Sequence, residues 1–169
     1  MKKHIFIIDT SAILSGKSIN LKDEKMLTTP EVSEELKPGG RDYQNFQFLL
    51  EMGLEIRSPL KKSIDFIRKK AEETGDLERL SSADIQILSL AVDINSNKDL
   101  EAVILSDDYS IQNVASNLNI KFQSISQRGI LKEYKWQYRC VGCKKRFDTI
   151  TKTCPICGAK TKLVRYQKK

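Results

Sequence analysis

Apolar and polar positions along the chain change period several times, and each change marks an element. HIFII (4–8) is a continuous apolar, β-branched and aromatic run, the pattern of a strand buried on both faces. MLTT (26–29) is a weaker strand. Thr29 and Pro30 then suit the cap and first turn of a helix, PEVSEELK, which stops before Pro38-Gly39-Gly40. RDYQNFQFLLEM (41–52) has helical spacing and ends at Gly53, and LEIR (54–57) is strand-like. Ser58-Pro59 opens a long helix to about Thr74, closed by Gly75. SSADIQILSLAVDI (81–94) is an amphipathic helix capped by its serines. AVILS (102–106), DYSIQNVASNL (108–118) and IKFQSI (120–125) read as strand, helix and strand. Strands separated by helices imply an α/β fold, a mainly parallel sheet flanked by helices. In such sheets ligands bind beyond the carboxyl ends of the strands. Asp9 ends the first strand, and Asp107 and Asp108 end another.

Charge divides the chain. Residues 134–169 hold 11 Lys and Arg against the single acid Asp148, a balance of +10, whereas the other 133 residues sum to −3. The polar, glycine-bearing stretch between the two halves sets the expected boundaries: a body over 1–126, a linker over 127–134 and a small module over 135–169. A basic module beside an acidic body suggests that the module grips a polyanion while the body acts on it. The alternative is a solvated lysine-rich surface. No apolar run approaches the roughly 18 residues that span a bilayer. The N-terminal apolar run is too short for an export signal and is broken by Asp9, so a cytoplasmic protein without membrane contact is expected.

All four cysteines lie in the basic module, as Cys140-x-x-Cys143 and Cys154-x-x-Cys157. Two such pairs can surround one zinc ion with four thiolates. Two disulfides are disfavoured in a cytosolic chain. Lys144 and Gly158 follow the pairs as turn residues, and KWQYR, KRFDT and KLVRY supply short strands, as in a rubredoxin-like zinc ribbon. A module this small needs such a staple. The candidate RNA contacts are Lys135, Arg139, Lys144, Lys145, Arg146 and Arg165, interleaved with Trp136, Tyr138, Phe147 and Tyr166. Tyr138 and Phe147 are better suited to the ribbon's own core.

In the body, the absences constrain the chemistry. The single histidine, His4, begins a strand, the cysteines are committed to metal, and no phosphate loop or GxSxG elbow is present. Acids at element ends remain: Asp9, Glu34 or Glu35, Asp84, Asp107 and Asp108. Each has a bland explanation. Asp9 and Asp107 or Asp108 can cap turns, Ser81-x-x-Asp84 reads as a capping box, and Glu34 and Glu35 can be helix surface. Gathered together, the acids would repel one another unless protonated or neutralised by a cation. Oxygen-only donors select Mg²⁺ or Mn²⁺, which can activate water at a phosphodiester without a histidine.

IIDTSAIL, TTPEVSEEL, LSSADIQILSLA and ILSDDYSIQNVA occur in the order found in the PIN-domain nucleases, and residues 3–125 resemble that family. With the paired cysteine knuckles behind it, the chain resembles the archaeal Nob-type endoribonucleases of small-subunit ribosome maturation. The resemblance implies a PIN-like sheet and cleavage at the 3′ end of precursor 16S rRNA within a nascent particle, with contacts to assembly-particle proteins possible. It maps the family's acids onto Asp9, Glu35 rather than Glu34, Asp84, and either Asp107 or Asp108, with Ser11 lining the site. Two rivals stand beside this expectation: a non-catalytic RNA-binding assembly factor, and a toxin-type PIN ribonuclease acting on tRNA or mRNA.

Overall fold

A computed structural model describes residues 1–15, 19, 24–125, 134–149 and 151–167, excluding the side chains of 134–136 and 165–167. The expected 127–134 linker lies almost wholly outside these residues. Five strands of the body form one parallel sheet in the order β3-β2-β1-β4-β5. They are β1 (Lys3–Ile8), β2 (Lys25–Thr28), β3 (Glu55–Ile56), β4 (Leu100–Leu105) and β5 (Lys121–Gln123). β1 is central. It pairs with β2 on one side and with β4 on the other, Ile8 opposite Leu105. The strand order therefore reverses at β1, so the carboxyl ends of β1 and β4 form the switch point, where an open parallel sheet is expected to carry its crevice.

Ile7, Ile8, Leu27 and Ile104 are completely buried, which is why these strands are apolar without alternation. The helices are α1 (Thr10–Leu14), α2 (Pro30–Glu35), α3 (Arg41–Glu51), α4 (Lys61–Thr74), α5 (Ser82–Asn95) and α6 (Tyr109–Asn117). α5 packs on β4, β1 and α4 and buries Ile85, Ile87, Leu88, Leu90 and Ala91. A 3₁₀ turn, Leu77–Arg79, precedes it. No helix among the described residues is long and apolar enough to cross a membrane.

Local structure departs from expectation at three places. α1 is a five-residue helix, too short to show a period in the sequence. α4 begins at Lys61, three residues after Ser58, because its cap comes from another helix: Asp93 of α5 accepts from the Leu60 N–H at 2.7 Å and the Ser63 hydroxyl at 2.5 Å. Thr29 occupies the N-cap position of α2, but its buried hydroxyl makes no capping bond.

The module's three strands, β6 (Tyr134–Cys140), β7 (Arg146–Phe147) and β8 (Thr161–Gln167), form an antiparallel sheet in the order β7-β6-β8. Two similar turns close its cysteine-bearing end. The Cys140 N–H donates to the Lys145 carbonyl at 2.9 Å, and the Cys154 N–H to the Ala159 carbonyl at 2.8 Å, five residues on in each case. Lys144 and Gly158 sit at matching places with φ of 65° and 72°. Gly158 adopts this left-handed backbone freely, whereas Lys144 does so at a cost of about 1 kcal/mol.

Candidate functional site

The expected acids gather around the carboxyl ends of β1 and β4. Asp9 follows β1 and caps α1, and only 3% of it is exposed. Its Oδ2 accepts from the Ser11 hydroxyl at 2.7 Å, the Ser106 hydroxyl at 2.9 Å and the Ser11 N–H at 3.3 Å. Burial raises its pKa above the ordinary carboxylate range, and these hydrogen bonds oppose the rise. The same two serines bind the next strand end. The Ser11 Oγ accepts from the Asp107 N–H at 2.9 Å, and the Ser106 Oγ from the Asp108 N–H at 3.0 Å. Ser11 and Ser106 thus lock β1's acid to β4's turn.

Asp84 lies in the first turn of α5. It completes the capping box, accepting from the Ser81 N–H at 2.6 Å while its own N–H donates to the Ser81 hydroxyl at 3.1 Å. The cap and a role in the crevice are compatible, because the box occupies only one carboxylate oxygen, Oδ2. Desolvation, with the charges of Asp9 and Asp108 added, pushes Asp84 up to about 6 against the pull of the Ser81 N–H. Asp9 and Asp108 therefore lie close enough to Asp84 for their charges to act on it. Among the described residues, no Lys, Arg or His forms an ion pair with any of the three.

The two acids of the pair make different contacts. Asp107 turns its Oδ1 towards the end of β5, accepting from the Ser124 hydroxyl at 2.6 Å and the Ile125 N–H at 2.7 Å. Asp108 caps α6 through Ser110 at 2.6 Å and acts on Asp84. The charge of Asp108 thus bears on Asp84, while one oxygen of Asp107 is bound to the end of β5. Glu35, the last residue of α2, accepts a hydrogen bond from the Thr10 hydroxyl, one residue past Asp9. Glu34 makes no such link. His4 lies at the opposite end of β1, where its Nε2 meets Glu101 at 3.0 Å.

Thr10 and Ser106 were missed at the sequence level. Ser106 had a readable signal, a hydroxyl residue between an apolar strand and two acids. Thr10 had none, since its partner is 25 residues away.

In the ribbon, the four sulfurs of Cys140, Cys143, Cys154 and Cys157 lie within 4.8 Å of one another. Sulfurs at the corners of a zinc tetrahedron sit about 3.8 Å apart. Cys140 and Cys157 approach to 3.3 Å, and Cys143 and Cys154 to 3.6 Å, with no disulfide formed. A Cβ on Gly142 would stand 3.3 Å from the Cys157 sulfur, so that residue leaves room beside the cluster. The Ala159 N–H and the Cys140 thiol bring Cys157 down to about 6, while, against the pull of the Lys145 N–H, desolvation and the neighbouring thiols push Cys143 up to about 11, the pattern of thiols that share protons in one cluster. The donor set, its spacing and its amide support fit a tetrahedral thiophilic ion.

Of the expected RNA contacts, Lys144, Lys145 and Arg146 are exposed and Arg139 is half-buried. The Lys144 Nζ turns back to the Val141 carbonyl at 2.6 Å. The side chains of Lys135 and Arg165 lie outside the described residues. Tyr138 differs from expectation: it faces the body beside Leu77 and Glu78 rather than filling a ribbon core, and burial with the Glu78 carboxylate pushes its phenol up to about 12.

The chain is similar to several known ribonucleases. Residues 6–94 match the family model described as the PIN domain of ribonuclease. The chain is 34% identical to Endoribonuclease Nob1 of Archaeoglobus fulgidus, over 96% of this chain and 92% of that protein. It is also 34% identical to Endoribonuclease Nob1 of Pyrococcus abyssi, over 94% and 92%. Identity to Ribonuclease VapC1 of Thermoplasma acidophilum is 40%, over 94% of this chain and 77% of that one. A parallel sheet with acids at its switch point and a family match across half the chain lead to one conclusion: this protein belongs to the PIN-domain ribonucleases, metal-dependent endoribonucleases.

Proposed function

We propose that the protein cleaves single-stranded RNA by metal-assisted hydrolysis and matures the 3′ end of precursor 16S rRNA during small-subunit assembly. The observation that carries the chemistry is the crevice itself. Three carboxylates from three elements share one electrostatic neighbourhood, and burial and mutual repulsion raise Asp84. Such a set is best relieved by a hard cation, and its oxygen donors suit Mg²⁺ or Mn²⁺.

Asp9, Asp84 and Asp108 would hold the ion, which when bound neutralises charge on the phosphate and makes water acidic enough to supply hydroxide at neutral pH. The protein's own groups do the rest. Ser11 and Ser106 fix the Asp9 carboxylate, and the Ser81 cap fixes one oxygen of Asp84. Glu35, held by Thr10, orients the attacking water or supports a second ion. The water oxygen bonds to phosphorus as the P–O3′ bond breaks, leaving a 3′-hydroxyl and a 5′-phosphate. The 2′-hydroxyl takes no part.

The ribbon, with zinc on its four cysteines, would bring Lys144, Lys145, Arg146 and their neighbours to the RNA backbone, giving affinity that falls steeply with salt. The choice of rRNA is supported by similarity to Nob1 endoribonucleases across both the body and the ribbon. A toxin-type ribonuclease is the second reading. The relative named VapC1 aligns over 94% of this chain, so the ribbon does not set the chain apart from a ribonuclease of that name. Growth arrest on expression, absent in Asp9→Asn, would favour that reading.

The test of the main reading uses a precursor 16S rRNA fragment with Mn²⁺. The wild type is expected to cut it, and Asp9→Asn to lose roughly 10³-fold in rate, about 4 kcal/mol of transition-state stabilisation, while binding RNA as tightly. Equal cutting by Asp9→Asn contradicts the site. Binding without cutting by the wild type supports the non-catalytic assembly factor.

A further inference from the structure

Two consecutive side chains of α6 reach in different directions. Gln112 is completely buried and donates from Nε2 to the Ser106 carbonyl at 2.8 Å. Asn113 donates from Nδ2 to both oxygens of Asp76, at 3.1 and 3.3 Å. Asp76 is itself completely buried, and its Oδ2 also accepts from the Thr74 hydroxyl at 2.5 Å. Its backbone ties down both flanks: its N–H donates to the Ala71 carbonyl at 2.8 Å, and its carbonyl accepts from the Arg79 N–H at 2.9 Å. The 3₁₀ turn then leads through the buried Leu80 to Ser81, which caps Asp84.

Gln112 therefore holds the strand end that presents Asp108, and Asn113 holds, through Asp76, the loop that presents Asp84. These loops belong to different crossovers, and α6 gives both a common anchor. Buried carboxylates and amides are expensive to desolvate, and apolar side chains of the same size would fill this space at lower cost. What the polar groups add is direction and spacing. Two carboxylates that repel each other drift apart unless the loops beneath them are fixed. A site already at its binding geometry loses less free energy to rearrangement when the ion enters.

We propose that Gln112, Asn113 and Asp76 form a buried positioning bridge that sets Asp84 against Asp108 and strengthens divalent-ion binding there. The bridge rests on the acid-site reading above, and the experiment separates the two. Mn²⁺ binding is measured by calorimetry on the full-length, zinc-loaded protein without RNA, together with the melting temperature. Gln112→Met keeps the volume and removes the N–H donor, and it should weaken Mn²⁺ binding about tenfold or more. Asn113→Ala should do the same. The exchange Asp76→Asn with Asn113→Asp restores a donor facing an acceptor and should recover most of the affinity lost in Asn113→Ala. A lower melting temperature with wild-type Mn²⁺ affinity in Gln112→Met would reduce the bridge to a structural role and overturn the proposal. If Asn113→Ala does not fold, Gln112→Met decides by the same criterion. Asp84→Asn is the reference. Wild-type affinity in that variant defeats the acid-site reading. Lost affinity there, with none lost in Gln112→Met, defeats the bridge alone.

Discussion

The carboxylate crevice and the cysteine ribbon both gather negative groups, but they are built on opposite terms. The ribbon's four donors fall within an 18-residue span, on two turns of one small sheet. Of the hydrophobic residues described there, only Cys140 and Cys154 are buried, so the ligands are themselves the core. The crevice draws Asp9, Glu35, Asp84 and Asp108 from four places along the chain, and a large apolar core assembles them. That core tolerates the electrostatic cost of the acids, whereas the ribbon has little to fall back on. Metal should therefore act as a folding element in one region and as a chemical one in the other.

The strongest way to break that contrast is at a zinc ligand. Cys140→Ser, or a strong chelator, should unfold the ribbon outright, since structural zinc sites contribute about 10–16 kcal/mol. The body should keep its melting temperature. Amide dispersion in NMR spectra reads both at once, and a ribbon that stays folded without metal contradicts the account.

The same contrast explains what was legible in the sequence. The cysteine pairs and their turn residues, Lys144 and Gly158, could be read directly because knuckle geometry is local. β1 and β4 were legible as unbroken apolar runs, and Asp84's capping box as a local pattern. Contacts between distant segments were not. Nothing near Ser58 reveals that Asp93 caps α4, and Thr29 looked like a cap although its hydroxyl makes no such bond. SDDYS could not separate Asp107 from Asp108, because the partners that divide them, Ser124 on one side and Asp84 on the other, are remote. Tyr138 looked like ribbon core for the same reason: Glu78 belongs to the body.

A narrower break separates the neighbouring acids. Asp108→Asn should lower the cleavage rate by roughly 10²–10³-fold, about 3–4 kcal/mol, with little loss of stability, because asparagine still caps α6. Asp107→Asn should leave the rate within a few fold and lower the melting temperature by loosening the end of β5. Single-turnover rates beside thermal melts test this, and the reverse pattern would exchange the two roles.

The smallest expected effect is a pH dependence of stability. Asp84 is raised from 3.8 to about 6 in the folded protein, so the native state keeps its proton to higher pH than the unfolded chain does. Folding stability contributed by this group is therefore present below about pH 4 and declines as pH rises to about 6. Urea unfolding of the zinc-loaded wild type and Asp84→Asn, without added Mg²⁺ or Mn²⁺, should differ by that slope. Saturating Mn²⁺ should remove it in the wild type. Parallel curves for the two proteins would show that Asp84 is not strained.

Paramagnetic broadening by Mn²⁺ tests the central claim most directly. Titrated into the zinc-loaded protein, the ion should first broaden amide signals of Asp9 to Ser11, Asp84 and Ser106 to Asp108, and leave the ribbon sharp. Broadening that begins elsewhere, or that persists unchanged in Asp9→Asn, would show that these acids do not form a common cation site.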